Sequence, residues 1–393
     1  MVTTLLDAIP ETCGGKAATL GALLREGLPV PEGFVVPIAA HHAAGREPHR
    51  RLPAALRREV AGALARMGDP PMAVRSSAAN EDSADASAAG QYESILAVQG
   101  VEAVADAIRD CWASASSARV ANYWNRTGGD GTRAEPAKMA VLVQRLVDAD
   151  ISGVMFTPAR PGDHTRIEAS WGLGLGVVGG TVTPDTFEIA PNGTVRRTIG
   201  RKTTRLDRGE GLTGVIRHDV PEHQQTLSAL DDATAVRLAV LGNRVTELLG
   251  GSQDIEWAIA DGTIWLLQSR PVTAPLPPMP SQASISDDAL LSGIPGAHGA
   301  ATGKARIVSS PSDFGHVEIG DIIICPYTDP AWTPLFTIAA GVVTETGGAL
   351  SHAAIVAREY GIPAVLGVSG ATTRIRDGAR ITLNGSAGTL TLH

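Results

Sequence analysis

Cysteine is scarce in this chain of 393 residues: Cys13, Cys111 and Cys325 are widely spaced, odd in number and without any CxxC pairing. That usage argues against a zinc site and for a reducing compartment. Long apolar runs are missing as well, since none approaches the ~18 residues of a membrane span. The first residues, with Asp7 early among polar neighbours, lack the pattern of a signal peptide, and the expected location is the cytoplasm. Positive charge is in deficit. With 33 basic against 41 acidic residues the formal net charge is −8, and no long basic run is present, which leaves a nucleic-acid or membrane partner unsupported. Any bound phosphate must be met by local basic residues.

The length allows two or three domains, each able to bury its own core. The most informative stretch is 344–367. A strand-like apolar run at 341–343 is followed by the Gly347-Gly348 turn and then by a helix whose last turn carries Arg358. Gly361 and Pro363 stop that helix in the usual order. His352 therefore lies at or just inside a helix N-terminus, where unpaired N–H groups and the positive dipole end favour an anion. An unperturbed imidazole, with a pKa near ~6.5, is largely a free-base nucleophile at neutral pH and is able to take a phosphoryl group. Taken alone, such a histidine reads more simply as one that caps or packs a helix end. Arg358 reads as neutralising the helix C-terminus.

Upstream, Gly14-Gly15-Lys16 leads into an apolar-periodic helix stopped by Gly27, and a Pro-punctuated strand runs to Val36. Residues 41–70 read as helix. His41 and His42 have no carboxylate or Cys at metal spacing and read as surface residues. A short strand from Met72 delivers Arg75 to a long loop of small and hydroxyl residues that passes Gly90 and reaches Ser94. Such a loop is suited to close over polyphosphate, with N–H groups and a bidentate guanidinium on the oxygens; its composition also fits a flexible surface loop. Residues 101–124 read as helical. In the buried strand that follows, Gln144 is the one polar interruption, and its amide must find partners. Residues 186–230 alternate short strands with polar turns, and Arg201 and Lys202 read as a solvated or phosphate-facing edge.

Two alternating runs joined by Ala260-Asp261-Gly262-Thr263 make a β-hairpin. Glu256 and Gln268 fall on opposite strands, near enough to share one ion. Mg2+ prefers oxygen ligands from one or two side chains plus substrate phosphates, which this pair supplies. Arg270, on the same face as Gln268, is in reach of phosphates; an exposed cross-strand polar pair is the plainer reading. Prolines 271, 275, 277, 278 and 280 then mark a stiff linker. Beyond it, segments near 299–308, 320–325 and 341–343 supply strands of a compact α/β domain.

The length of several of these strings carries a further reading. Thr-Glu-Thr-Gly-Gly-Ala-Leu-Ser-His352-Ala-Ala-Ile-Val-Ala-Arg-Glu-Tyr-Gly-Ile-Pro-Ala-Val resembles the phosphohistidine segment of phosphoenolpyruvate synthases, pyruvate phosphate dikinases and rifamycin phosphotransferases. Gly-Gly-Lys16-Ala-Ala-Thr-Leu-Gly, Val-Arg75-Ser-Ser-Ala and Asp-Ile-Glu256 with Leu-Gln268-Ser-Arg270-Pro resemble the nucleotide-binding part of the same family. The resemblance implies that His352 is phosphorylated, that Lys16 contacts ATP phosphates, that Arg75, Gly90 and Ser94 contact the nucleotide, and that Gln144 and nearby backbone meet adenine. Relatives carry Gly-Leu-Gly-Glu where this chain has Leu175, so one acidic group near the nucleotide site is gone. Asp329, in Thr-Asp-Pro-Ala-Trp-Thr-Pro, either orients the imidazole, helps the acceptor or only shapes a turn.

The resemblance implies an α/β and α+β multidomain fold: an ATP-grasp-like domain at 1–273, a linker at 274–287 and a small swivelling β/β/α phosphohistidine domain at 288–393. It implies an ATP- and Mg2+-dependent phosphotransferase, in which His352 takes the β-phosphoryl group, AMP is released and the γ-phosphate goes to water or phosphate. The phosphohistidine then serves a small-molecule acceptor, or the chain charges a separate acceptor-binding protein. A non-catalytic nucleotide-binding regulator is the third reading, hinted at by Leu175 alone. Neither the large pyruvate barrel of the synthases nor the helical antibiotic domain of the rifamycin enzymes is expected within this stretch, so the full synthase reaction is not expected of it alone.

Overall fold

Residues at spacing two, Met72 and Val74, Met139, Val141 and Val143, Phe34 and Val36, turn one face of an antiparallel sheet toward an apolar core in the computed structural model. The structure describes residues 1–44, 51–78, 94–115, 139–160, 162–209, 214–274, 276 and 291–393. The expected loop around Gly90 and most of the proline-rich linker lie outside them. The fold is α/β and multidomain, with two compact units: Met1–Ser152, Leu206–His218 and Leu238–Val272 form one, Gly153–Arg205, Asp219–Arg237 and Thr273–His393 the other. The segment 1–273 is thus shared between both units, and its part at 153–205 is compact with the histidine segment.

In the first unit the sheet order is Thr3–Thr4, Gly33–Val36, Met139–Arg145, Met72–Ala78, Ser94–Val98. Its core face packs the amphipathic helices Ala54–Arg66 and Val101–Ser114, through Leu56, Val60 and Ile108 among others. By the same alternation Arg75, Ser77, Leu142 and Gln144 occupy the opposite face, where the helix Pro10–Arg25 lies. That helix is interrupted at Gly14, whose φ is 75°. A Cβ there would stand 2.1 Å from the Ser77 carbonyl oxygen, so only glycine lets the helix start so close to the Arg75 strand. The same unit holds the hairpin Gln253–Ala260 and Thr263–Pro271.

The second unit contains the antiparallel strands Thr165–Trp171, Asp185–Ile189 and Val195–Thr198 and an eight-stranded mixed sheet. Four strands of the latter, Ala300–Ile307, Ile322–Cys325, Gly341–Thr344 and Ala364–Leu366, run parallel. Ile322, Ile324 and Val343 enter one core, Ile323, Cys325 and Val342 another. Burial on both faces explains why these strands are unbroken apolar runs. Between Gly341–Thr344 and Ala364–Leu366 the crossover is the helix His352–Tyr360. Among the described residues no helix is long and apolar enough to cross a membrane.

Candidate active site

Two constellations take shape, one in each unit. In the first, the turn Asp261-Gly262, both with positive φ of 49° and 71°, closes the hairpin. Its register runs Ala260↔Thr263 to Trp257↔Leu266 and then shifts, so that Glu256 faces Gln268 and Leu267 is left over as a bulge. Without that extra residue Glu256 would oppose Leu267, and the Glu256 and Gln268 side chains would point to different faces. The carbonyl released at the bulge is used: Arg75 donates from Nη1 to Leu267 O at 2.8 Å and from Nη2 to Glu256 Oε2 at 2.7 Å.

Burial pushes the Glu256 carboxyl up, but Arg75, followed by Arg270 and Lys16, outweighs it and holds the group below its usual value. It is therefore a carboxylate at neutral pH. Lys16 is buried and donates to Ser76 O at 3.1 Å, while Ser77 ties the two elements by accepting from Ala17 N and donating to Cys13 O. Gln144, buried, donates to Pro31 O at 2.9 Å, so its amide has the partner that its burial demands. Ser94 is exposed and lies opposite Arg75 in the ladder. Arg270 is paired with Asp254, directly across the hairpin, at 2.8 Å. The structure thus brings Lys16, Arg75, Ser94, Glu256, Gln268 and Arg270 into one unit, with Gln144 on the strand next to Arg75; Gly90 lies outside the described residues. Among the described residues no group of three or more His, Cys, Asp or Glu is placed to hold a metal. A cation at Glu256 and Gln268 would take two protein oxygens and fill its remaining positions from phosphate and water, the pattern of Mg2+.

In the second unit His352 is the first residue of its helix, after the N-cap Ser351. The helix ends at Gly361 in the left-handed conformation, φ 67°, as the Gly-Pro order predicts. The imidazole is buried, and Nδ1 is 3.0 Å from Thr328 Oγ1. Asp329, the sequence candidate for orienting the ring, instead caps the 3-10 helix Pro330–Thr337 by accepting from Ala331 N. Its neighbour Thr328 makes the contact. Arg358 donates to Ala349 O at 2.7 Å and Gly296 O at 2.8 Å; it turns back onto the loop before His352.

That loop is seated on the strand Thr165–Trp171 and on the glycines that follow it. Gly347 N donates to Val182 O at 3.1 Å and Thr346 Oγ1 to Gly180 O at 2.6 Å. The Gly347 and Gly180 backbones approach closely, a Cβ on Gly347 falling 3.4 Å from Gly180 Cα. Glu168, fully buried, accepts from Leu350 N at 3.1 Å through Oε2. Its carboxylate lies so near Gly348 that a Cβ there would come within 2.3 Å. Burial drives the Glu168 carboxyl up to about 7, against the pull of the Leu350 and Ala349 N–H groups and of Arg166 and Arg358.

Lys202 corrects an expectation, being neither solvated nor on a phosphate-facing edge. It is fully buried, and its Nζ lies 2.5 Å from Asp185 Oδ1. Asp185 also accepts from Gly200 N and Ala229 N, so the pair is a satisfied structural knot. Leu175 opens the short helix Leu175–Val178 and is 39% exposed.

Residues 48–285, more than half of the chain, match the domain family described as pyruvate phosphate dikinase, AMP/ATP-binding domain, and residues 317–388 match the PEP-utilising enzyme, mobile domain. The chain belongs to the phosphoenolpyruvate synthase and pyruvate phosphate dikinase family. It is similar to a probable phosphoenolpyruvate synthase of Methanothermobacter thermautotrophicus, 35% identical over 95% of this chain and 60% of that protein. A second relative, a probable phosphoenolpyruvate synthase of Archaeoglobus fulgidus, is 34% identical over 95% of this chain and 55% of its own length. The phosphoenolpyruvate synthase of Escherichia coli is 35% identical over 80% of this chain and 42% of its length. The chain therefore spans about half the length of these synthases. Within the family's mobile-domain segment lies His352, and within its AMP/ATP-binding segment lie Arg75, Glu256, Gln268 and Glu168.

Glu168 and Thr328 escaped the sequence reading. Glu168 was signalled only as an acid inside a run of small and apolar residues, Ile167-Glu168-Ala169-Ser170; Thr328 was overshadowed by the charged residue beside it.

Proposed function

We propose that this chain is an ATP-dependent phosphotransferase that carries the phosphoryl group on His352 and passes it to a small-molecule acceptor. The observation that carries the reading is His352 itself: a buried imidazole at a helix start, its Nδ1 held by Thr328, within the stretch that matches the mobile domain. In the tautomer whose Nδ1–H donates to Thr328 Oγ1, Nε2 carries the lone pair. Nε2 attacks the β-phosphorus of ATP; an N–P bond forms, the bond from that phosphorus to the α-bridging oxygen breaks, and AMP leaves. The γ-phosphoryl group goes to water or phosphate. An acceptor nucleophile then takes the remaining group from nitrogen and gives up its own proton.

Lys16, Arg75 and Arg270 would meet the polyphosphate, Gln144 and its strand the adenine, and Gly90 and Ser94 the phosphate side. Glu256 and Gln268 would hold Mg2+, which when bound neutralises phosphate charge. Arg75, now on Glu256 and the Leu267 carbonyl, is the side chain best placed to transfer its donors to phosphate oxygens. Transfers of this kind depend on electrostatic clamping and alignment. The histidine segment would move between the nucleotide and the acceptor, tethered by the proline-rich linker. Three buried free cysteines support a cytoplasmic location.

The test is incubation with β-labelled and γ-labelled ATP. Label held on the protein from the β position, AMP as the product and no label in His352→Ala are expected. ADP as the only product, or an undiminished reaction in His352→Ala, would refute the assignment.

A further inference from the structure

A cavity of about 290 Å³ lies within the second unit, on one face of its antiparallel sheet. Its size is at the lower end of the ~300–1,000 Å³ found for small-molecule sites. Glu168, Thr186 and Thr198, direct partners across three strands, line it. Ile167, Phe187 and Arg197, each one step along those strands, do not, because successive side chains point to opposite faces. The Thr186 side chain is therefore turned into the cavity. Pro184, Ile199, Ile294 and Pro295 contribute apolar wall, and Ala349, in the loop before His352, closes one side.

Glu168 is 0% exposed, is held by Leu350 N and offers no surface to an occupant. Arg166, also in the lining, is bound to Glu188 at 2.9 Å. Two other groups keep unused capacity. Thr186 is 7% exposed, and among the described residues its hydroxyl has no hydrogen-bond partner. Nor is that oxygen sealed off by protein atoms, so the surface it keeps belongs to the cavity. Polar groups this deep are satisfied in nearly all native structures, and one that is not points to a missing partner. Arg201, exposed at the rim, donates from Nε to Gln225 Oε1 at 3.1 Å. That partner is neutral, and both terminal nitrogens stay available for an oxyanion. A hydroxyl and an unbalanced cation ask for an anionic oxygen; the walls ask for an apolar body.

We propose that this cavity binds a small monocarboxylate with an apolar body, whose carboxylate accepts from the Thr186 hydroxyl and the Arg201 guanidinium while its body packs on Pro184, Ile199 and Ile294. Through Ala349 such an occupant also touches the loop that leads to His352. Glu168 does not repel it below about pH 7, where burial keeps that carboxyl largely protonated. The binding inference stands without the phosphotransfer reading and is tested separately from it.

Benzoate, its uncharged counterpart benzamide and inorganic phosphate serve as probes, with binding to the full chain followed by calorimetry at about pH 6. Benzoate is expected to bind saturably and about tenfold more tightly than benzamide, the usual scale for a hydrogen bond to a charged group. Arg201→Gln, at an exposed position, is expected to erase that preference. Thr186→Val, which keeps the shape and deletes the hydroxyl, is expected to weaken benzoate about tenfold, and Ile294→Trp, which fills the cavity, to abolish its binding. Equal binding of benzoate and benzamide, tighter binding of phosphate, no binding at all, or benzoate binding untouched by Arg201→Gln, Thr186→Val or Ile294→Trp would each overturn the proposal. Should Thr186→Val or Ile294→Trp fail to fold, the three-probe comparison on the unaltered protein and on Arg201→Gln decides by itself.

Discussion

Glu168 makes the stability of the second unit depend on pH with a calculable amplitude. Its carboxyl is carried from the ordinary 4.5 to about 7 because burial penalises the charged form more than the neighbouring N–H groups and arginines favour it. A folded-state value raised above the unfolded one contributes stability that is fully present below pH 4.5 and is lost as pH rises through about 7. At ~1.36 kcal/mol for each tenfold change, the full loss is ~3 kcal/mol, reached near pH 8. Glu168→Gln removes the titration and keeps an acceptor for Leu350 N. Its effect on that hydrogen bond is the same at every pH, so it displaces the stability curve without tilting it. Urea denaturation of both proteins between pH 4.5 and 8 isolates the effect, because titrations common to both cancel in the difference. The variant is expected to gain ~3 kcal/mol on the unaltered protein across that interval. Two curves that stay parallel would mean that Glu168 is solvated or already paired, and the account of its burial would be wrong.

Gly348→Ala places a Cβ within 2.3 Å of the Glu168 carboxylate; the loop must shift, at a cost of ~1–3 kcal/mol, and the pH effect of Glu168 is expected to shrink in the same denaturation series. Lys202→Met leaves Asp185 buried without its cation, and a loss of ~3–5 kcal/mol is expected in chemical denaturation; a loss below ~1 kcal/mol would show that the backbone donors of Gly200 and Ala229 suffice for that carboxylate.

What a chain of residues reveals by itself is what neighbouring residues decide among themselves. The helix after Ser351 with its stop at Gly361, the turn at Asp261-Gly262 and the apolar strand at 341–343 were legible, because capping, positive φ and apolar runs act over a few positions; the parallel pairing of that strand was not. The hairpin also placed Glu256 and Gln268 on opposing strands, but their alignment depends on the Leu267 bulge, which no local pattern announces.

Tertiary structure decided the partners. Arg75 meets Glu256 across 181 positions, and Leu350 meets Glu168 across 182. Alternation assigns such a side chain to a face but is silent on what lands there. For that reason Lys202 reads as an edge charge in the sequence and is a buried cation in the fold, and nothing local to Glu168 signals that Gly348 packs against it. The division into units has the same origin: residues 153–205 join the histidine segment through backbone contacts such as Gly347 N to Val182 O, made by peptide groups that carry no sequence signature. Sequence determined which chemistry the chain carries; packing determined which carboxylate stays charged, which is pushed toward neutrality, and which loop each one holds.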